Sequence, residues 1–430
     1  MNVAPEEQTD WLRRHRKIAV LAALTAVAYL AAINRAQPFV WLVPALLVAT
    51  LATGFLWPRW LVRGLAVSRN GPTRAEEGQV IEFRIEVDNR GWLPRFMVEL
   101  VDRLPFVGLA DPGGRGADQV LGLLAYLPGR RRQQFTARIP CEKRGFYRLG
   151  PVGLASSFPL GLAEARRTAG DSLHTLTIYP EVFNILALPL RGAPSQIHRG
   201  GYLLPEGAGA AEFAGLREYR RGDNPRHVHW PTTARLNELM VREFEPLASA
   251  CLTLALDHSA SANVGRGRDA TFEVAIRIAA SIARLACGQS IRTRLAGNGQ
   301  RSLNGLPGSG DRHFQGILDE LAVIDADGVT PYARLLDDLG PQCVRGETVV
   351  VFLSGSAADW DETLRALTML RARQLHLFAI VFDTPGFVPD YAAPLAVPAD
   401  AAETTATLLE LGAHCLNVRH RADLVRLFNA

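Results

Sequence analysis

The chain has few of the residues that mark a disulfide scaffold, a zinc site or a nucleic-acid platform. Its 430 residues include only five cysteines, Cys141, Cys251, Cys287, Cys343 and Cys415, none in a CxxC pair. An odd, dispersed set suits reduced and mostly buried thiols, and indicates neither a disulfide framework nor a zinc site. A net charge of +4 is small for this length, and acidic residues lie among the basic ones. That balance argues against a nucleic-acid partner. The sequence contains no GxxxxGK[ST], no HExxH and no GxSxG, so phosphate-loop, zinc-protease and serine-hydrolase readings lack their residues.

Charge is also missing from two long stretches, Ile18 to Asn34 and Ala36 to Pro58. Each is close to the roughly 20 apolar residues that a bilayer crossing needs. Two transmembrane helices, about 18–34 and 36–58, are expected, joined by a tight turn at Asn34 and Arg35. Arg13, Arg14, Arg16 and Lys17 precede the first run and Arg59 and Arg63 follow the second, whereas the connection carries only Arg35. The positive-inside bias then puts both ends of this multi-pass protein in the cytoplasm. A cleaved signal peptide is the alternative for the first run. A second span following at once, and the lack of a small-residue cleavage site, count against it. Trp41, Trp57 and Trp60 fit interfacial anchors.

Length allows two or three domains beyond the anchor. The pattern divides the chain into a membrane anchor (1–65), a β-sandwich (66–190), an arginine-rich segment (191–249) and an α/β domain (250–430). From Val80 to Val87, apolar Ile81, Phe83, Ile85 and Val87 alternate with charged residues, as a half-buried antiparallel strand requires. Further strands are expected at Phe96–Val101, Gln133–Ile139, Phe146–Leu149 and Leu176–Tyr179. Glycine and proline turns between them suggest an immunoglobulin-like sandwich. From Ala250 the chain alternates apolar strands (251–256, 291–295, 348–353, 377–382, 415–418) with helical stretches (271–286, 313–324, 332–339, 361–374, 401–411). This predicts a doubly wound α/β sheet.

The most specific segment runs from Glu212 to Glu245, EFAGLREYRRGDNPRHVHWPTTARLNELMVREFE. Its arginines, including Arg217, Arg226, Arg235 and Arg242, alternate with Glu218, Asp223, Glu243 and other carboxylates. Bidentate guanidinium–carboxylate pairing makes an ion-pair lattice the expectation; a phosphate-binding or partner-binding surface is the alternative. Tyr219, Gly222, His229 and Trp230 complete the motif. His227 and His229 form an HxH that could ligate a metal, though membership of the structural segment is the simpler reading. Pro231, directly after Trp230, removes a backbone donor there. The pattern EF..LREY..GD.PR..HW...AR...L.VREFE resembles the signature of domain of unknown function 58. That resemblance implies a bacterial membrane-anchored protein, often encoded beside MoxR-type AAA ATPases, and so a MoxR-type partner.

The first strand of the α/β part runs into Asp257, His258, Ser259, Ala260, Ser261. DxSxS resembles the metal-ion-dependent adhesion motif (MIDAS) of von Willebrand factor A-like domains. One carboxylate and two hydroxyls at the carboxyl end of a buried strand offer hard oxygen ligands to Mg2+. By the resemblance, Thr330 joins them from a second loop. A third loop would supply an aspartate, but Gly355 stands in its place. The motif's bland alternative is an Asp-Ser loop that caps the following helix. The expected metal is therefore Mg2+, held weakly or completed by a partner carboxylate. The expected protein is a membrane-anchored, non-enzymatic adaptor or scaffold that binds a protein partner at Asp257 and takes part, with a MoxR-type ATPase, in assembly or maturation of envelope components. A metal-dependent hydrolase using Asp257 is the alternative.

Overall fold

A computed structural model of the chain describes residues 5–34, 38–108, 118–186, 188, 211–219, 228–236, 238–246, 251–354, 359–388 and 400–429. The chain forms two compact units, Met1–Glu181 and Val182–Ala430. The anchor and the sandwich, separate in the sequence division, therefore make one unit, because the second helix packs on the strands that follow it.

In the first unit, α1 (Pro5–Asn34) is followed by α2 (Leu42–Leu61), and the two helices pack together. Arg16–Asn34 and Phe39–Leu61 are long and apolar enough to cross a membrane. The first starts two residues before the expected span, and the second is shifted three residues toward the carboxyl end of the chain. A single 3-10 turn at Pro38–Trp41 leads into α2. The helices expose aliphatic surface that water would not reward, such as Leu46 (67 % exposed) and Leu30 (66 %).

Ten strands follow: β1 (Leu65–Asn70), β2 (Arg74–Glu76), β3 (Val80–Asn89), β4 (Arg95–Arg103), β5 (Asp118–Leu127), β6 (Arg132–Pro140), β7 (Gly145–Leu149), β8 (Val152–Ser156), β9 (Ala165–Ala169) and β10 (His174–Tyr179). They build three sheets, β1-β3-β6, β2-β10-β7 and β5-β4-β8-β9, which close on one apolar core. β3 alternates as its sequence demands, with Ile81, Phe83, Ile85 and Val87 buried. Five strands escaped the sequence reading: β1, β2, β5, β8 and β9. β5 is a nearly continuous apolar run whose faces the period does not separate, and β9 has only alanines at its buried ends. Between two of the sheets, the buried side chains of Arg69 on β1 and Asp102 on β4 form an ion pair.

The second unit begins with a hairpin of β11 (Ala211–Glu218) and β12 (Met240–Pro246), antiparallel and bulged between Phe213 and Gly215. A short helix α3 (Trp230–Leu236) lies between them in the chain. Next come β13 (Cys251–Leu256), α4 (Thr271–Gly288), β14 (Arg292–Asn298), β15 (Ser302–Asn304), α5 (Asp311–Val323), α6 (Tyr332–Leu339), β16 (Thr348–Leu353), α7 (Trp360–Ala372), β17 (His376–Phe382), α8 (Ala401–Glu410), β18 (His414–Val418) and α9 (Leu424–Asn429). The sheet order is β15-β14-β13-β16-β17-β18, parallel except for the β15 edge. β16 is buried along its whole length, as a strand covered on both faces must be. On one face Val349, Val351, Leu377 and Ala379 pack with Leu336 and Leu339 of α6 and Leu367 and Leu370 of α7. Inside the sheet Arg294 donates from Nε to Thr253 Oγ1 at 2.7 Å and lies 3.6 Å from Glu347. All five cysteines are free thiols, and burial pushes those of Cys141 and Cys251 up to about 11.

Candidate functional site

The winding of the sheet reverses between β13 and β16. At such a switch point the loops leaving the carboxyl ends of the two strands diverge and leave a crevice. Here it is a cavity of about 410 Å³. Asp257, Ser259 and Ser261 after β13 line it together with Thr330 before α6. The structure thus gathers all four residues expected from the DxSxS motif.

Local geometry explains why. Asp257 turns back on its own loop, its Oδ1 accepting from the backbone N–H of Ser259 at 2.9 Å and from Ser259 Oγ at 2.6 Å. The Thr330 loop is stitched to it by backbone. Gly328 N–H donates to the carbonyl of His258 at 2.8 Å, and Ala260 N–H donates to the carbonyl of Gly328 at 3.0 Å. His258 itself points away from the cavity, buried edge-on against Phe272. Its ring fills the space where Gly297 and Gly299 lack side chains; a Cβ on either would come within 2.7 Å of it. Tyr332 fastens the base of the site. Its hydroxyl donates to the carbonyl of Ala255 at 2.7 Å and accepts from the N–H of Phe352 at 3.3 Å, tying β13 to β16. Ser354 closes the side, donating from Oγ to the carbonyl of Ala262 at 2.9 Å.

Gly355, which the sequence places where a third-loop acid was expected, lies outside the described residues. Asp359 supplies a second carboxylate to the same cavity from the residue that precedes α7. Spacing alone did not reveal it, because it does not follow the end of β16 at Leu353 directly. Asp257 keeps part of its surface open to the cavity, yet the surrounding protein desolvates its carboxyl. That burial raises its pKa to about 6, the charge of Asp359 adds to the rise, and the two hydrogen bonds from Ser259 oppose it. Burial also pushes the Tyr332 hydroxyl well up, with the charge of Asp257 adding. Across the cavity Thr384 is 3 % exposed, and its Oγ1 has no hydrogen-bond partner among the described residues. A desolvated carboxylate, a second acid and an idle hydroxyl around one crevice are a donor set that a small hard cation would satisfy. Among the described residues no group of three or more His, Cys, Asp or Glu has metal-binding geometry. Any cation held there would draw most of its oxygen ligands from hydroxyls.

The arginine-rich segment is placed only in part. Gly222, Asp223, Arg226 and His227 lie outside the described residues. Arg217, Arg242 and Glu243 have described backbone positions, with Arg217 opposite Val241 and Arg242 opposite Leu216 in the hairpin. Tyr219 N–H donates to the carbonyl of Leu239 at 2.8 Å. Glu218 and Arg235 are exposed, and Trp230 is 66 % exposed. Arg235 is exposed on a seven-residue helix, and the carboxylates that would pair with it in an ion-pair lattice lie largely outside the described side chains. His229 Nδ1 lies 2.8 Å from Thr232 Oγ1, a local contact at the start of α3. Pro231 occupies the first turn of α3, where a missing N–H is not needed.

The family described as "Protein of unknown function DUF58" matches residues 215–380. That span runs from within β11 into β17 and includes every residue of the cavity named above except Thr384. The "Uncharacterized protein YeaD" of Bacillus subtilis (strain 168) is 27 % identical over 348 residues, covering 80 % of this chain and 83 % of that protein. Among solved structures, the CARDB domain of a Pyrococcus furiosus protein matches with 12 % identity, 26 % of this chain, 86 % of that domain and a TM-score of 0.20. A beta-glucosidase from Listeria innocua matches with 9 % identity, 26 % of this chain, 16 % of that enzyme and a TM-score of 0.18. Likeness of this size establishes no fold.

Proposed function

We propose that the chain is a non-enzymatic adaptor of the bacterial cytoplasmic membrane, anchored by two transmembrane helices with its soluble parts in the cytoplasm. In this reading the second unit is a von Willebrand factor A-like domain, and it binds a protein partner at the cavity between β13 and β16. The observation that carries the reading is the convergence of Asp257, Ser259, Ser261 and Thr330 on one crevice at the switch point, from loops held together through Gly328. Mg2+ is the cation that suits these oxygens, with Asp359 on the same wall adding a second carboxylate. When bound it would supply positive charge that a carboxylate of the partner can meet. The likeness to DUF58 proteins supports a MoxR-type AAA ATPase as partner, with ATP hydrolysis belonging to that partner and assembly or maturation of envelope components as the task.

The test is affinity purification of the full chain from membranes, with Mg2+ or with EDTA, for the native sequence and for Asp257→Ala. The reading expects a partner that is retained with Mg2+ and lost under both perturbations. Retention under both would remove the metal-bridged mechanism. A metal-dependent hydrolase is the second reading, favoured by the pKa of about 6 at Asp257, which suits a general base near neutral pH. Turnover of ester or phosphoester substrates by the purified chain, abolished in Asp257→Ala, would put it first.

A further inference from the structure

The last turns of α2 are packed against the sandwich. Gly54, Pro58 and Leu61 are buried, and their spacing puts them on one helix face. α2 meets β4, β8 and β9. At Gly54 the approach is so close that a Cβ would lie 2.7 Å from Leu162 Cδ1, in the connection between β8 and β9. Yet Gly54 lies two turns inside the apolar span Phe39–Leu61, about 10 Å from its end at 1.5 Å per residue. If the sandwich stayed clear of hydrocarbon, the helix from Phe39 to Gly54 would have to cross alone. It would cover only about 24 Å of a core about 30 Å thick.

The surface at this contact is built for the same depth. A groove of about 480 Å³ runs between α2 and the sandwich, lined by Leu56, Trp57, Trp60, Leu93, Pro94 and Phe96. Beside it, Trp92 is 78 % exposed, Leu160 46 % and Phe158 37 %. Trp92 belongs to the β3–β4 turn and Phe158 and Leu160 to the β8–β9 connection. Ser156 at the end of β8 donates to the carbonyl of Met97 near the start of β4 at 2.9 Å, which puts both loops at one end of the sandwich. Basic side chains stand behind this apolar end. Arg130 N–H donates to the carbonyl of Gly91 at 2.8 Å, so the exposed pair Arg130 and Arg131 adjoins the Trp92 turn, and Arg63 is exposed just past α2. Apolar and aromatic tips backed by arginines are the pattern of a surface lying at the headgroup boundary.

We propose that the end of the β-sandwich carrying residues 91–94 and 157–162 is sunk into the leaflet at the carboxyl end of α2, with a phospholipid acyl chain in the groove and Arg63, Arg130 and Arg131 at the phosphate level. The inference rests on α2 crossing the bilayer, as proposed above. It turns the sandwich from a tethered domain into one whose orientation to the membrane is fixed, because both the helix and the two loops hold it.

The full chain in phospholipid nanodiscs tests this, with an environment-sensitive fluorescent amino acid at one position at a time and doxyl-labelled lipid as quencher. The positions are Trp92, Leu160, Leu46 in mid-α2, and Val80, which is 57 % exposed at the opposite end of β3, about 30 Å away at roughly 3.3 Å per residue. The expected result is strong quenching at Leu46, and quenching at Trp92 and Leu160 severalfold above that at Val80. Quenching at Leu46 with Trp92 and Leu160 no different from Val80 overturns the proposal and leaves the transmembrane reading standing. No quenching at Leu46 overturns both.

Discussion

Gly328 donates its N–H to the carbonyl of His258 at 2.8 Å, joining the loop that carries Thr330 to the loop that carries Asp257. Only glycine permits this approach. A Cβ at position 328 would lie 2.7 Å from the carbonyl oxygen of Asn298 and 2.9 Å from that of His258, and neither backbone atom can swing aside. Gly328→Ala should therefore destabilise the chain by about 1–3 kcal/mol, the usual cost of overpacking. Thermal denaturation of the detergent-solubilised protein reads this, and an unchanged melting temperature would show the two loops to be independent.

The pKa of about 6 at Asp257 against an ordinary 3.8 fixes a sign. Since the folded value is the higher, the folded state holds the extra proton between the two. The contribution to stability is full below about 4 and is lost as pH rises through about 6. Asp257→Asn removes the ionisation and keeps an oxygen to accept from Ser259. With chelator present, the variant should gain melting temperature over the native chain at pH 7.5 and show little difference at pH 4. A gain that shrinks as pH rises would contradict the desolvation of this carboxyl.

The sheet was legible where burial is symmetric. Runs such as Thr348–Leu353 are apolar throughout because both faces are covered, and DxSxS stood out because three oxygen donors follow such a run directly. Asp359 was not legible, since the residue that brings a carboxylate to the cavity depends on how the loop after β16 folds. Nor was the union of α2 with the sandwich, for Gly54 reads as one more small residue in an apolar helix until Leu162 is seen against it. Among the described residues the desolvated ion pairs are Arg69 with Asp102 and Arg294 with Glu347, formed by residues far apart in sequence, which no local alternation of charge announces.

Arg69 and Asp102 are both nearly inaccessible, so removing one leaves the other charged and buried. Asp102→Ala should cost about 3–5 kcal/mol, whereas the double change Arg69→Met with Asp102→Leu should recover most of it, since an apolar pair of similar volume is often neutral. Denaturant melts of the two variants decide this. Equal losses would mean that packing around the pair, and not its charge, sets the cost.

Arg235 and Trp230 are exposed on α3, in the most specific segment of the sequence. A surface residue without buried partners changes stability by less than about 0.5 kcal/mol. Arg235→Ala and Trp230→Ala should leave the melting temperature unchanged while weakening retention of the co-purifying partner, if this helix is a recognition surface. Destabilisation by either would return the segment to a structural role.

The last expectation concerns the cation. With one carboxylate, the sequence implied a site that holds Mg2+ weakly by itself and more tightly once a partner supplies a second acid. Asp359 on the wall that Asp257 shares changes the arithmetic, because a second acid raises the negative potential where the hydroxyls of Ser259, Ser261 and Thr330 converge. The same acid helps hold the pKa of Asp257 up, a repulsion that a bound dication would relieve, so metal affinity should rise with pH through about 6. The purified chain alone should be stabilised by Mg2+, by about 1.4 kcal/mol at ten times the dissociation constant. Asp257→Ala should abolish that gain and Asp359→Asn should reduce it, with neither losing its fold in chelator. A melting temperature indifferent to Mg2+ in the native chain would mean that Asp359 does not complete the site, and that any cation there has to arrive with the partner's carboxylate.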